Sequence, residues 1–449
     1  MAHIVVIGAG IGGLPTAYEL RHLLARQHTV TLISDSPFFT FIPSLPWVGL
    51  GLKSVSEVQM AVEPVVRRLG IQWVEGKVNR LEPHQQQLWV GVENRAIAYD
   101  YLVIATGASL NLQAVPGLGP EDGYTQSVCN PHHAVLAAQA WQRFLESPGP
   151  LVVGAVPGTS CFGPAYEFAL LAEWRLRQLG LRDQVPITLI TSEPYVGHLG
   201  IGGMAQSQQL VEKLLKQQQI PVLENVAITA IDAEVIHLAN RSAVPFKYAM
   251  VLPSFEGPAF LKACPEIADE KGFVPVLSTH QHLDFDSIYA LGVVVKMQPP
   301  EKTPIPTGVP KTGQMTEAMG MAVAHNIAFR LGEHSQPLVT PTLSAICITD
   351  FGDRGIVFIA DPVLPDPKTG KRRKSLALEG RWVSWSKTLF EQFFLLKMRL
   401  GLSVPWFERW GLKLLGLDLL EPIHYPPPSD KQTLKNIPEN LSPRTVSKN

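Results

Sequence analysis

The 449-residue chain holds four cysteines, at 129, 161, 264 and 347. No two of them have CxxC spacing, which argues against a zinc site. Excess charge is missing too: 38 Lys+Arg against 39 Asp+Glu leave a formal net charge of −1. Nothing in that balance draws the chain to nucleic acid, so no nucleic-acid partner is expected. Charged residues make up 17% and hydrophobic residues 46%, a globular composition poor in charge. An apolar run of about 18 residues does not occur, so no spanning helix is expected. No leader-like stretch precedes the first strand pattern, so no secretion signal is expected. The length exceeds one typical domain, and two or three are expected.

What is present begins at Ile4-Val5-Val6-Ile7, four apolar β-formers that run straight into Gly8-Ala9-Gly10-Ile11-Gly12-Gly13 and then a helical pattern, Thr16 to Leu24. A strand, a Gly8-x-Gly10-x-x-Gly13 turn and a helix form the phosphate-binding unit of a dinucleotide fold. Gly8 permits the turn, Gly10 the approach of backbone to pyrophosphate, and Gly13 the close packing of helix on strand. The helix N-terminus offers free N–H groups to the phosphates. The next strand pattern, Thr29 to Ile33, ends at Ser34-Asp35, where either side chain is placed to bond a ribose hydroxyl. Phe38 to Pro43 is an apolar loop, read either as a flavin neighbour or as core. Tyr99 to Gly107 is a buried strand ending in Ala105-Thr106-Gly107, with Ala108 next. It resembles the strand that closes the FAD domain of two-dinucleotide flavoproteins, and so favours FAD over NAD as the first ligand.

Leu151 to Cys161 looks like a second nucleotide-binding half with a damaged glycine code. Taking Gly154 as its first glycine, Val156 and Thr159 fill the other two places, and Pro157 removes an N–H donor. This half is expected not to bind NAD(P)H. A helix from Tyr166 to Leu179, a strand ending at Glu193, a flexible glycine-rich loop carrying His198, and a helix over 205–219 follow. Ser287 to Val293 reads as a strand returning to the first sheet, with Gly292 near the cofactor. Thr307 to Gly313, with Lys311 and Thr312, leads into a helix from Met315 to Leu331 whose N-terminus faces the flavin. Further on, 345–352 and 355–360 pair as a hairpin, and Lys368 to Lys374 reads as a basic loop. Two segments then mix Trp382, Trp385, Phe390, Phe393, Phe394, Trp406, Phe407 and Trp410 with Lys387, Lys397, Arg399, Arg409 and Lys413. That composition suits amphipathic helices at a lipid surface, or a pair of helices docking on another subunit. From Glu421 the Pro-, Ser- and Lys-rich chain reads as a disordered tail.

Thr159-Ser160-Cys161-Phe162-Gly163-Pro164-Ala165-Tyr166-Glu167-Phe168 resembles the sulfide:quinone oxidoreductase family, as do 347–353, 308–313 and Ser44-Leu45-Pro46-Trp47. The similarity runs in order over 1 to about 420. It implies an FAD enzyme that oxidises hydrogen sulfide to sulfur or polysulfide and reduces membrane quinone. By this resemblance Cys161 and Cys347 form the redox pair, since two thiols beside a flavin can pass it two electrons as a disulfide forms. Cys129 matches a third cysteine that helps release product or holds the flavin covalently, while Cys264 matches nothing and reads as structural. His133 and His198 match acid/base or sulfide-guiding histidines; taken alone, each is equally a solvated loop residue. Glu167 matches an acid near the catalytic cysteine, or serves only the dipole of its helix. Lys387 matches a hydrogen-bond donor to quinone, and Phe390 and Phe407 match rings that sandwich it, although the family often has Tyr at the latter place.

The fold expected is α/β, with two Rossmann-like dinucleotide-binding domains plus a C-terminal membrane-association region with amphipathic helices. The FAD-binding domain takes 1–115 and 286–335, the second Rossmann-like domain 116–285, the quinone and membrane-interface region 336–420, and the tail 421–449. A peripheral, monotopic attachment to the membrane and a homo-oligomer are expected. The alternative with the same fold is a type II NADH:quinone dehydrogenase, which needs an intact second glycine code.

Overall fold

The computed structural model describes residues 1–202, 204–366 and 368–423. Its first layer is built by β1 (His3–Ile7), α1 (Gly13–Leu23), β2 (Thr29–Ser34), α2 (Glu63–Leu69), β3 (Gln72–Glu75) and β4 (Tyr101–Ile104). Strands β1, β2 and β4 are rich in Val, Ile and Leu and buried on both faces, as strands inside a parallel sheet covered by helices must be, while β3 lies at the sheet edge and is partly exposed. A second group comprises α3 (Pro131–Glu146), β5 (Leu151–Ala155), α4 (Gly163–Gln178), β6 (Ile187–Thr191), β7 (Val222–Leu223) and β8 (Tyr248–Leu252). Asn130 caps α3, its side chain accepting from the His133 N–H at 2.8 Å. The chain then returns to the first sheet through β9 (Ile288–Ala290), followed by α5 (Gly313–Arg330).

The first sheet has the order β9-β4-β1-β2-β3 and the second β7-β6-β5-β8, all parallel. In each, chain order reverses beside the leading strand, β1 or β5, and the crevice at the carboxyl ends there is where such sheets bind ligands. Helices α1 and α5 cover one face of the first sheet and touch closely: a Cβ on Gly320 would lie 2.2 Å from Thr16 Oγ1.

The C-terminal part contains β10 (Val339–Pro341), β11 (Ala345–Asp350), β12 (Gly355–Asp361), β13 (Lys374–Gly380), α6 (Arg381–Leu400), α7 (Trp406–Leu414) and β14 (Leu420–Pro422). The expected hairpin is present as β11 and β12, but a third strand, β13, extends it. It begins inside the stretch expected to be a basic loop. Arg372 and Arg373 there are not free cations. Arg372 donates to the carbonyls of Ile201 and Gly202 at 2.6 and 2.8 Å, and Arg373 pairs with Asp361 and Glu421, both at 2.7 Å. Glu421 and Pro422, expected to open a disordered tail, are instead part of a strand, since Leu420–Pro422 pairs with Val339–Pro341. The rest of that stretch lies outside the described residues.

Among the described residues no helix is long and apolar enough to cross a membrane. The two aromatic segments do form helices, α6 and α7. Their aromatics are not all outward, however. Phe394 is buried and packs on Phe39 and Phe41, while Trp385, Trp406 and Trp410 stand at least 60% exposed. Phe39 and Phe41 thus belong to the core and pack against α6, whereas Phe38 and Ile42 of the same apolar loop are exposed.

Candidate active site

Register alone assembles the first half of the site. Ile7 lies opposite Ile33 on one side and Ile104 on the other, so Gly8, Ser34 and Ala105 leave the sheet at one edge. The Gly8 N–H donates to Ile33 O at 2.7 Å and the Ala105 N–H to Ile7 O at 2.8 Å. Gly292 joins them, because the Leu291 N–H bonds Ile104 O at 3.0 Å. The start of α5 closes the ring: a Cβ on Gly12 would meet Leu291 and Thr316, and one on Gly313 would touch Ile11. Gly8 to Gly13 (with Ala9 and Ile11 between), Ser34, Asp35, Thr106, Gly107, Ala108, Gly292, Lys311, Thr312 and Gly313 therefore lie on segments that meet at one end of the first sheet. Ser34 is buried at the strand tip and Asp35 beside it is exposed.

The glycines divide by task. A Cβ on Gly8 would lie 2.4 Å from Ala105 O, and one on Gly13 1.8 Å from Gly8 O, so these two exist for close packing of the chain on itself. A Cβ on Gly10 would meet nothing within 4 Å. That open place on a glycine turn is a cradle for a ligand. Two polar groups at the start of α5 also point to one. Burial lowers the half-buried Lys311 ammonium to about 8, and no carboxylate pairs with it among the described residues. The buried Gln314 amide nitrogen has no partner there. These residues fit a dinucleotide.

The second half is built differently. Gly154 is a strand residue rather than the first of a turn, and Val156 is fully buried. Segment 306–308 packs against the turn that follows β5. The Gly158 N–H donates to Pro306 O at 2.7 Å, the Gly308 N–H to Thr159 O at 2.9 Å, and a Cβ on Gly308 would strike Ser160. Glu193, just past β6 where a ribose-binding acid belongs, is fully buried. It accepts from the Tyr166 hydroxyl, from Thr191 Oγ1 at 2.8 Å and from the Leu199 N–H at 2.6 Å. Burial pushes its carboxyl up to about 7, against the pull of those donors. The sequence marks an acid at this strand end; that it turns inward depends on Tyr166.

The thiols gather at the start of α4. A Cβ on Gly163 would lie 3.5 Å from Cys347 Sγ, so β11 delivers Cys347 to the turn that carries Cys161. Each of the four cysteines is a free thiol. Burial is the main cause that raises Cys161 to about 12, and Cys347 and Cys129 add to it. Burial likewise raises Cys347 to about 11, with Glu167 adding and Lys387 opposing, and Cys129 to about 11. The three cysteines singled out from the sequence thus share one neighbourhood. Cys264 is buried among the residues behind the first sheet, away from them. Segment 306–313 links thiols to cradle, touching Ser160 at Gly308 and Ile11 at Gly313.

Glu167 and Lys387, assigned separate tasks from the sequence, meet as a buried ion pair. Burial raises the Glu167 carboxyl to about 7 although Lys387 pulls it down. It is not a dipole partner in the first helical turn, which carries no acid; its charge is answered by Lys387. Lys387 is already engaged by a carboxylate rather than standing free for a ligand. His198 is not a solvated loop residue: it is 1% exposed and its Nε2 lies 2.8 Å from Glu301. The loop around it is held by hydrogen bonds to Glu193, Tyr166 and Arg372. His133 is buried with Nε2 2.9 Å from Glu121, and its Nδ1 has no partner among the described residues. Phe390 packs on Phe41 and Phe394, whereas Phe407 packs on Phe393 and Trp406, so the two rings lie in different clusters. Sequence reading missed two further buried pairings of α6: Lys53 with Glu391, and Lys397 with Glu317 and Glu408. An amphipathic helix with charges on its apolar side carries that signal.

Residues 2–320 match the family described as pyridine nucleotide-disulphide oxidoreductase. A sulfide-quinone reductase of Aquifex aeolicus (strain VF5) is 40% identical over 418 residues, 92% of this chain and 94% of its own. The mitochondrial sulfide:quinone oxidoreductase of Dictyostelium discoideum is 24% identical over 78% of this chain and 77% of its own. The crystal structure of the Aquifex aeolicus sulfide:quinone oxidoreductase superposes with a TM-score of 0.89 at 39% identity, over 95% of this chain and 98% of that one. NDH2 from Plasmodium falciparum, solved in complex with NADH, shares the fold alone, with a TM-score of 0.64 at 17% identity over 92% of this chain and 99% of that one.

Proposed function

The chain belongs to the sulfide:quinone oxidoreductase family, and from this premise we propose that it is a peripheral membrane enzyme that oxidises sulfide with FAD and passes the electrons to quinone. The observation that carries the reading is the delivery of Cys347 to the Cys161 turn, beside a glycine cradle whose companion turn packs against segment 306–308. In the oxidised state Cys161 and Cys347 are joined by a disulfide or polysulfide bridge. Hydrosulfide adds to the sulfur on Cys161, that S–S bond breaks, and the electron pair leaves as a thiolate on Cys347. FAD, bound by Gly8 to Gly13, Ser34 or Asp35, Thr106 to Ala108, Gly292 and Lys311 to Gly313, supplies the two-electron acceptor.

The chain's own groups manage charge. Lys387 favours the anionic form of Cys347, whereas Glu167 opposes it, so protonation of Glu167 helps the thiolate to form. With a carboxyl near 7, Glu167 is suited to hold or release a proton at its Oε1 under physiological conditions. Phe390 and Phe407 are assigned to the quinone end, where α6 and α7 turn an apolar face outward, each in its own ring cluster, and Lys387 donates to quinone only on leaving Glu167. Cys129, His133 and His198 are assigned to product release and proton or sulfide guidance.

A type II NADH:quinone dehydrogenase is the competing reading. Val156, the Pro306–Gly308 segment and the inward Glu193 all stand against a nicotinamide nucleotide in the second half. The deciding experiment adds sulfide and NADH separately to the anaerobic flavoprotein and follows flavin absorbance, then adds a soluble quinone. Bleaching by sulfide, reversal by quinone, and loss of both in Cys347→Ala are expected. Bleaching by NADH alone overturns the proposal.

A further inference from the structure

The charges around the outward face of α6 and α7 are sorted by sign. Both acids of the two helices turn inward: Glu391 accepts from Lys53 at 2.6 and 2.7 Å, and Glu408 accepts from Lys397 at 3.1 Å. Arg381, Arg399 and Lys413 are exposed, and no carboxylate pairs with them among the described residues. Arg399 has company. Arg68, at the end of α2, donates Nη2 to the Arg399 carbonyl at 2.7 Å. Arg26 donates Nη1 to the Leu69 carbonyl at 3.1 Å. Leu69 in turn packs where a Cβ on Gly401 would come within 2.7 Å. Three exposed arginines from three separate parts of the chain thus lie about the C-terminal end of α6, linked through the backbone carbonyls of Leu69 and Arg399. Arg67 beside them is neutralised by Glu63 at 2.6 Å, but Arg26, Arg68 and Arg399 have no such partner among the described residues.

Like charges gathered without a counter-ion repel one another, and an anion relieves that cost. What flanks the corner says which anion. Leu396, Leu400 and Leu402 are exposed next to it, and the apolar surface continues through Trp406 and Trp410. Apolar side chains ringed by cations match the boundary between acyl chains and headgroups. We propose that the Arg26–Arg68–Arg399 corner binds the headgroups of anionic phospholipids, with the adjoining leucines in the acyl layer. This inference rests on the membrane attachment proposed above and adds the lipid class that the attachment selects.

The test is flotation of the full-length flavoprotein with vesicles of phosphatidylcholine, and of phosphatidylcholine mixed with phosphatidylglycerol. The parent protein is expected to bind both and to prefer the mixture, with the preference shrinking as salt rises. A basic residue at an anionic surface is worth about fivefold in partitioning, so Arg26→Gln/Arg399→Gln is expected to lose about 25-fold of the preference. Its binding to phosphatidylcholine, its thermal midpoint and its activity with soluble quinone should stay unchanged. Arg95→Gln, an exposed charge on the β-hairpin over 87–98, should leave the preference intact. Equal binding of the parent to both vesicles overturns the headgroup inference and leaves the membrane reading standing. A preference kept by the double variant, or lost equally in Arg95→Gln, overturns the arginine corner. Binding to neither vesicle overturns the membrane reading and this inference with it.

Discussion

Gly10→Ala and Gly13→Ala add the same methyl group to the same turn, and the two variants are expected to fail differently. A Cβ at position 10 would meet nothing in the chain within 4 Å, and the backbone there is outside the left-handed region. The apoprotein should therefore keep its stability, or gain about 0.5 kcal/mol from a less flexible unfolded chain. The added methyl instead stands in the space a pyrophosphate needs. Overpacking of about 1–3 kcal/mol then falls on binding alone, which weakens flavin affinity roughly tenfold to a hundredfold. At position 13 the Cβ would lie 1.8 Å from Gly8 O and 3.1 Å from the Ala105 methyl. Ordinary contact is near 3.5 Å, so α1 must move off β1 by more than about 1 Å. That costs on the order of 3 kcal/mol, of which alanine's better helix propensity offsets about 1. Thermal unfolding of flavin-stripped protein and the flavin-to-protein ratio after desalting separate the two outcomes. A Gly10→Ala protein that retains flavin as the parent does, or a Gly13→Ala apoprotein as stable as the parent, would refute the division of tasks argued from the glycine contacts.

Other expected outcomes concern the buried charges. Lys387→Met leaves Glu167 without its cation and should destabilise the protein by roughly 3–5 kcal/mol in urea unfolding, less where Glu167 takes up a proton; adding Glu167→Gln should recover most of the loss, and no recovery would mean the pair is not what holds α6 to α4. Glu193, with its carboxyl raised from 4.5 to about 7, binds a proton more tightly in the folded than in the unfolded chain. Its stability contribution is fully present below about pH 4.5 and is lost as pH rises to 7, a fall on the order of 3 kcal/mol that Glu193→Gln should flatten; an unchanged pH profile of the thermal midpoint in that variant would count against the assignment.

Much of the site was readable because its signals are local. A run of β-formers ending in Gly8-x-Gly10-x-x-Gly13 states strand, turn and helix within a dozen residues, and the same holds for Ala105-Thr106-Gly107 and for the damaged turn at Val156 and Pro157. The cysteine neighbourhood was reached through a resemblance, since nothing in spacing says that Cys347 returns to Cys161. The missing strand β13 was misjudged because Lys and Arg at its start look like a solvated loop, although Arg372 and Arg373 are engaged by backbone carbonyls and carboxylates. Composition likewise does not single out Phe394 among the aromatics of α6, yet it packs on Phe39 and Phe41 in the core.

By itself the sequence determined the parallel α/β architecture and the glycine turn on the first sheet, because hydrophobic period and the presence or absence of a Cβ act within one turn of chain. Only the tertiary structure decided how charge is neutralised. Glu167 and Lys387 stand 220 residues apart, yet each is the other's counter-ion. Glu193 faces Tyr166 instead of a ribose, and three arginines that are strangers in sequence share one corner of the surface. A charge cannot choose its partner until packing has set which elements are neighbours and how much water is left between them.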